Sequence, residues 1–329
     1  MTIFLKKLFL YIFLILVVLE ILVRVFHLYS DNPSEYIDEY GVEKRVPLKS
    51  GYAIQGNRNQ NISEFGINNA GFNSPKDYLP SKEKFEVAIV GDSYIEGFHQ
   101  DYQNSIGRKI EQQIPGIEVY EYGYAGYDLA DQLHLINAYK KDFELIDVII
   151  VYMKFQNDLV RGSYSPNYEN ISTRHTTIYK IKNNIKLLAY GSIIGILDPV
   201  KNLATGDAFQ NLDSGYKTNE IVLSKDQKRL QDLQYLDNFK SLIRLYGFDK
   251  TKTTILLDSR VTSSVFLEYC KENEIKYIDF SDTFIKSKKA TNLIYDLHWN
   301  DYGRELIAKT ISEYVSEKER KFRLNSSLK

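Results

Sequence analysis

Apolar and polar positions divide the chain into three parts. From Leu8 to Val23 only Glu20 carries a charge, with Lys6 and Lys7 before the run and Arg24 after it. Carried on through Phe26 to Leu28, the run is long enough to cross a bilayer as a helix. Residues 29–84 are polar, turn-rich and aromatic, and read as a stalk and lead-in segment. Within it, Asn68-Asn69-Ala70-Gly71-Phe72 reads as a turn with Gly71 at positive φ. From residue 85 short apolar runs alternate with helix-compatible segments. Strands are expected at 86–90, 117–122, 146–152, 254–258 and 276–280, and helices at 104–113, 129–142, 225–246, 262–274 and 302–316. This alternation predicts an α/β fold with a parallel sheet covered on both faces. Residues 160–222 break the rhythm with Gly, Pro, Asn and Ser at short intervals and an apolar patch from Ile178 to Leu197. They read as an insertion over the active edge: a lid, a second membrane contact, or the docking point of an envelope protein partner. The main domain is then expected over 85–318, with a polar tail at 319–329.

Charge and cysteine content narrow the class. The 42 basic and 43 acidic residues leave a net charge of −1, and nothing in this balance suggests a nucleic-acid-binding surface. The one cysteine, Cys270, rules out an internal disulfide and a cysteine-rich metal site. Lys6 and Lys7 precede the apolar run, and Asp31, Glu35, Asp38 and Glu39 follow it. By the positive-inside rule residues 1–7 are a cytoplasmic tail, 8–28 a transmembrane signal anchor, and the remainder lies outside the cell membrane. No small-x-small cleavage site or lipobox cysteine ends the run, so the anchor reads as uncleaved; a cleaved signal peptide and an interfacial helix are the competing readings. Glu20 and Arg24, at i,i+4, can pair near the outer interface.

The candidate chemistry centres on Val87-Ala88-Ile89-Val90-Gly91-Asp92-Ser93. An apolar strand ending in Gly-Asp-Ser puts a serine at the carboxyl edge of the sheet, where α/β folds bind ligands. A serine nucleophile needs a base. Of the five histidines, His298 stands before the last helix in Asp296-Leu297-His298-Trp299-Asn300. Asp296 can hold the ring so that Nε2 faces the serine. A metal site would need further ligands, and no His-Glu-x-x-His or second histidine cluster supplies them. Acyl transfer also needs donors for the developing oxyanion. Gly126, in Tyr122-Gly123-Tyr124-Ala125-Gly126-Tyr127-Asp128, can offer its N–H, and Asn157, in Phe155-Gln156-Asn157-Asp158, its side-chain amide.

These blocks, in this order, resemble those of the SGNH (GDSL-type) hydrolases. Gly91-Asp92-Ser93 with Gly97 matches the first block, Gly126 the second, Asn157-Asp158 the third, and Asp296 with His298 the last. The resemblance covers roughly 65–318 without the insertion. It implies a three-layer α/β/α, flavodoxin-like fold and a Ser93-His298-Asp296 triad. It also implies an oxyanion hole from the Ser93 N–H, the Gly126 N–H and the Asn157 side chain, and neither metal nor dissociable cofactor. Two positions depart from the pattern. Phe155 stands where the third block usually has Gly, and Asp296-Leu297-His298 is one residue shorter than the usual Asp-x-x-His. The shorter Asp-x-His-Trp form looks like that of membrane-anchored, polysaccharide-modifying relatives, including alginate-acetylation-type proteins. Asp282 is the alternative orienting carboxylate, and a Ser93–His298 dyad the other option.

The expectation is an extracytoplasmic serine esterase acting on an acyl ester, with O-acetyl groups of a cell-envelope carbohydrate as the expected substrate. An O-acyltransferase would use the same residues, and a non-catalytic glycan-binding or assembly protein is a different class. Asp92 and Asp158 are expected to cap or brace loops, Arg260 to face the sheet edge towards an anionic substrate group or to form a structural salt bridge, and Trp299 to pack on the last helix or stack on a sugar. Tyr94 and Lys154 are near the site by sequence alone.

Overall fold

A computed structural model describes residues 2–56, 61–174, 176–196 and 224–326. Helix α1, Thr2–Val25, takes up the apolar run and leaves its side chains exposed over nearly its whole length, with Val23 buried. It is the one helix among the described residues long and apolar enough to cross a membrane. Arg24 Nε donates to Glu20 Oε1 at 2.7 Å.

The segment expected to be a stalk is folded onto the domain. Strands β1, Glu35–Ile37, and β2, Glu43–Arg45, form one antiparallel hairpin; β3, Ser50–Gln55, and β4, Asn61–Gly66, form a second. The chain leaving α1 joins them at once. Leu28 N donates back to Val23 O at 3.0 Å, Asp31 N to Tyr52 O at 2.8 Å, and Ile54 N to Ser30 Oγ at 3.1 Å. Buried Phe65 and Ile67 hold the second hairpin against Phe98. Asn68 Oδ1 accepts the Ala70 and Phe72 N–H groups, and Gly71 sits at φ 89°, a backbone conformation that favours glycine.

The main sheet is parallel. Its strands are β5, Phe85–Gly91; β6, Ile117–Gly123; β7, Val148–Tyr152; β8, Thr253–Leu257; and β9, Tyr277–Asp279. Their order is β6-β5-β7-β8-β9, the flavodoxin-like 2-1-3-4-5 arrangement. Alternate side chains feed two cores. Ala88, Val90, Tyr122 and Val151 face one side; Val87, Ile89, Val119 and Ile150 face the other. Because both faces are covered, the central strands read as apolar runs, Val87–Val90 and Val148–Tyr152, while the edge strand β6 carries Glu118 and Glu121.

Helices fill both outer layers, and their labels continue from α1: α2, Ser93–Glu96; α3, Ile106–Gln113; α4, Leu129–Ala138; α5, Lys140–Leu145; and α6, Phe155–Asp158. The helix expected over 129–142 is thus broken at Tyr139. Next come α7, Tyr168–Arg174; α8, Thr177–Asn184; and α9, Lys186–Ile193. The last four are α10, Lys225–Tyr246; α11, Ser264–Glu272; α12, Ser281–Ile285; and α13, Asp301–Ser326. The expected tail from 319 continues α13. Its core face runs on through Ile311 and Val315 to buried Glu319 and to Phe322, which meets Phe85 edge-on.

The α8–α9 part of the 160–222 insertion packs against α1. Glu20 accepts the N–H groups of Lys186 (3.0 Å) and Leu187 (2.7 Å), and Arg24 Nη2 donates to Asn184 O at 2.8 Å. The one charged residue of the apolar run therefore satisfies the start of α9, and its ion-pair partner the end of α8. Residues 197–222, and His175, lie outside the described residues.

Candidate active site

Ser93 is placed by a tight strand-to-helix turn. Gly91 ends β5, the Asp92 side chain accepts the Tyr94 N–H at 2.9 Å, and α2 closes at Gly97 with φ 73°. The turn packs on the end of β6, where a Cβ on Gly123 would stand 2.1 Å from Glu96 N. Only glycine permits that approach.

The loop before α13 brings in His298. Asn292 and Trp299 bridge, Leu293 N donates to His298 O at 2.9 Å, and Asn300 caps α13 by accepting the Gly303 N–H at 2.8 Å. Trp299 is buried among Tyr94, Tyr152 and Phe280, so its indole packs rather than forming an open platform. Held this way, His298 Nε2 lies 2.7 Å from Ser93 Oγ. Asp296 Oδ1 accepts from His298 Nδ1 and from the His298 backbone N–H, the latter at 2.6 Å. The short Asp-x-His spacing thus brings the carboxylate onto Nδ1, leaving Nε2 to accept from the serine hydroxyl. Burial disfavours the Asp296 carboxylate, but the hydrogen bonds from the backbone and ring N–H groups of His298 outweigh it and hold its carboxyl below the ordinary value. Asp282, the alternative carboxylate, is exposed and pairs with Lys286.

His99 completes the cluster, and sequence reading gave it no role. Its ring stacks on His298 with centroids 3.8 Å apart, and its Nε2 lies 3.2 Å from Asp296 Oδ2. Burial, reinforced by His298 and Arg304, pushes its pKa down to about 3, so the ring is neutral and Nε2–H donates to the carboxylate. The nearest signal was position: His99 follows Gly97 in the same turn as Ser93. Ligand-type atoms of His99, Asp296 and His298 lie within 4.8 Å of one another. The arrangement does not fit a metal centre, because both His298 nitrogens are committed, Nδ1 to Asp296 and Nε2 to Ser93.

Two cavities meet at Ser93. The larger, about 750 Å³, is lined among others by Asn157, Lys154, Arg260, Asp296 and His298. The smaller, about 280 Å³, is lined by Asn32, Glu35, Arg45, Gln55, Ala125 and neighbours including His99. Asn157 is exposed on α6, while Phe155 is buried against Tyr235 and Phe266. Phe155 therefore fills the core beneath the loop. Gly126 follows Ala125 at φ 96°, exposed, three residues beyond Gly123, which pairs with Gly91. It follows the same sheet edge, and its neighbour Ala125 lines the smaller cavity. Its loop is held by Glu96 Oε2, which accepts the Ala125 N–H at 3.0 Å.

Charges brace the rim. Lys154 Nζ pairs with Asp92 at 2.5 Å and lies 4.6 Å from the Tyr94 ring centroid. Asp158 Oδ2 accepts the Lys154 N–H at 2.7 Å, and burial together with Asp92 pushes the Asp158 carboxyl up to about 8. Arg260 is tied to Asp258 at 2.5 Å. Of the other histidines, His134 stacks on Tyr164 and His27 meets Tyr52, both away from this cluster.

No family model matches the chain, and no curated protein matches it. Solved structures similar to it include a member of the lipolytic protein G-D-S-L family from Veillonella parvula, at 14% identity and TM-score 0.36, covering 70% of this chain and 97% of that one. A lipase/acylhydrolase from Enterococcus faecalis is similar at 12% identity and TM-score 0.39, covering 72% and 96%. A catalytic mutant of an acetylxylan esterase from Geobacillus stearothermophilus is similar at 10% identity and TM-score 0.34, covering 71% and 94%.

Proposed function

We propose that the chain is a membrane-anchored, SGNH-type serine esterase whose domain faces outward and removes short acyl groups, O-acetyl first among them, from envelope carbohydrate. The observation that carries this reading is the hydrogen-bonded line from Ser93 Oγ through His298 to Asp296 Oδ1 at the mouth of two cavities. Ser93 Oγ attacks the acyl carbon as His298 Nε2 takes its proton, and Asp296 stabilises the imidazolium. The carbonyl π electrons move onto oxygen, where the Ser93 N–H, the Gly126 N–H and the Asn157 amide are the proposed donors. Collapse breaks the ester C–O bond, and the leaving alkoxide takes the proton from His298. Water then repeats the sequence in reverse on the acyl-serine, regenerating Ser93 and releasing the acid.

An O-acyltransferase is the second reading, favoured by Ser93 lining both cavities. There a sugar hydroxyl replaces water, and His298 accepts its proton.

The test is 4-nitrophenyl acetate turnover and fluorophosphonate labelling of the full chain in detergent, beside Ser93→Ala and His298→Ala. Turnover lost in both variants, with labelling lost in Ser93→Ala, supports the serine mechanism. A folded protein that neither turns over nor labels is a transferase that needs its partner or a binder. Acetyl appearing on an added glycan instead of free acetate identifies the transferase.

A further inference from the structure

We infer that this site works beside the surface of the membrane that holds α1, within chain reach of its headgroups, on an ester carried by a membrane-anchored, hydroxyl-rich amphiphile. The inference rests on the reading of Ser93 as an ester-attacking nucleophile and of α1 as a span.

The first argument is reach. From Leu8, after the basic pair, to Val25 helix α1 rises about 27 Å at 1.5 Å per residue, close to the hydrocarbon core of about 30 Å, so its end lies at the outer edge. Asn32 lines the smaller cavity beside Ser93 and is seven positions beyond Val25, the last residue of α1. Seven residues span at most about 25 Å fully extended. This stretch is not extended, because Leu28 folds back onto Val23.

The second is rigidity. A flexible tether would let the domain roam, but here three fastenings converge on the outer end of α1. Glu20 caps α9, Arg24 bonds Asn184 O, and Lys186 Nζ pairs with Asp31 at 2.9 Å. The β3–β4 hairpin is fixed to residues 30 and 31 as well.

The third is surface chemistry. Ile181 and Ile185 of α8–α9 are exposed, as are Ile194 and Ile196 just after α9, which packs on α1. Exposed isoleucines on the segment that packs against a spanning helix suit the lipid interface. The smaller cavity has the opposite character. Asn32, Glu35, Arg45, Gln55 and Glu96 give it hydrogen-bonding and charged walls, suited to hydroxyl groups beside the ester and not to an alkyl chain. Apolar surface at the membrane and a polar cavity at the serine together describe a lipid-anchored polar headgroup.

The experiment uses the full chain in phosphatidylethanolamine–phosphatidylglycerol vesicles. The probes are methyl 6-O-acetyl-glucoside and its hexadecyl counterpart, which differ only in the anchor. The height of the site is measured separately by energy transfer from a fluorophore on Val261→Cys, at the cavity rim, in a Cys270→Ser background, to acceptors at the lipid surface. A height within about 30 Å, with the hexadecyl ester turned over at least about tenfold faster, is the expected result. Glu20→Leu should reduce that preference severalfold while leaving 4-nitrophenyl acetate turnover unchanged. Equal rates on the two glucosides, or a site well above that height, would overturn the inference even in an active serine esterase. A low site with no turnover of any ester refutes the Ser93 chemistry instead, and the substrate class with it.

Discussion

His99 lies almost parallel to His298, with ring centroids 3.8 Å apart and planes 20° from each other, while its Nε2 reaches the Asp296 oxygen that His298 leaves free. The two Asp296 oxygens are thus divided, Oδ1 to His298 and Oδ2 to His99. His99→Phe keeps a flat ring but removes the donor. Loss of one hydrogen bond to a charged acceptor, about 1.5 kcal/mol, should lower kcat/KM about tenfold on 4-nitrophenyl acetate. His99→Gln, which restores an N–H near Nε2, should stay within about threefold of the wild type. A Phe variant as active as the wild type would leave His99 a packing role only.

The same residue gives stability a pH dependence. With a folded pKa depressed to about 3 against an ordinary value near 6.5, His99 stays neutral in the native protein while the unfolded chain takes up a proton below about pH 6.5. Native stability therefore falls as pH drops from about 6.5 towards 3, by up to about 1.4 kcal/mol per pH unit. His99→Gln should remove about 2 kcal/mol of the stability difference between pH 7 and pH 5. Urea unfolding of both proteins in detergent at the two pH values measures it, and identical pH slopes would show that His99 protonates freely in the fold.

The parallel sheet was legible because burial on both faces leaves short apolar runs, such as Val87–Val90, Val148–Tyr152 and Ile255–Leu257, spaced by helical segments. The ends of helices were less so. Polar spacing after Ser316 suggests a tail, yet Glu319 and Phe322 carry the packed face onward. Ser93, Asp296 and His298 stood out because their residue types and order are distinctive. His99 did not, since a histidine in a loop takes its meaning only from what the fold sets against it. The folding of residues 29–84 onto the domain depends on long-range bonds, such as Arg45 to Glu96 and Asn73 to the Glu96 carbonyl, which no local pattern announces.

Gly123 and Gly126 separate steric from conformational demands. Alanine at Gly123 would meet the backbone of Ile95 and Glu96 at 2.1–2.6 Å, so α2, and Ser93 with it, must move. Gly123→Ala should destabilise the fold by several kcal/mol and abolish turnover. Alanine at Gly126 meets nothing within 4 Å, but must adopt φ 96°, a strain of about 1–2 kcal/mol. Gly126→Ala should therefore fold, melt slightly earlier and lose activity only as far as its loop shifts. Thermal melts with turnover measured on the folded fraction distinguish the two, and equal losses in both variants would contradict this division.

Arg45 joins the lead-in segment to the turn that carries Ser93. Its Nε donates to Glu96 Oε1 at 2.7 Å and its Nη1 to Glu35, with all three side chains buried. Burial alone would lower the guanidinium's pKa, but the two carboxylates outweigh it and hold it above the ordinary value. Arg45→Met leaves Glu96 buried without its cation, which should cost about 3–5 kcal/mol. Glu96 also holds the Ala125 N–H, next to Gly126, so turnover per folded molecule should fall as well. Arg45→Lys keeps the charge but loses the two-pronged geometry, and should recover part of the stability and less of the activity. Urea midpoints and kcat for the three proteins decide the matter. If Arg45→Met unfolds at the wild-type midpoint, the pair contributes no more than the apolar packing that replaces it.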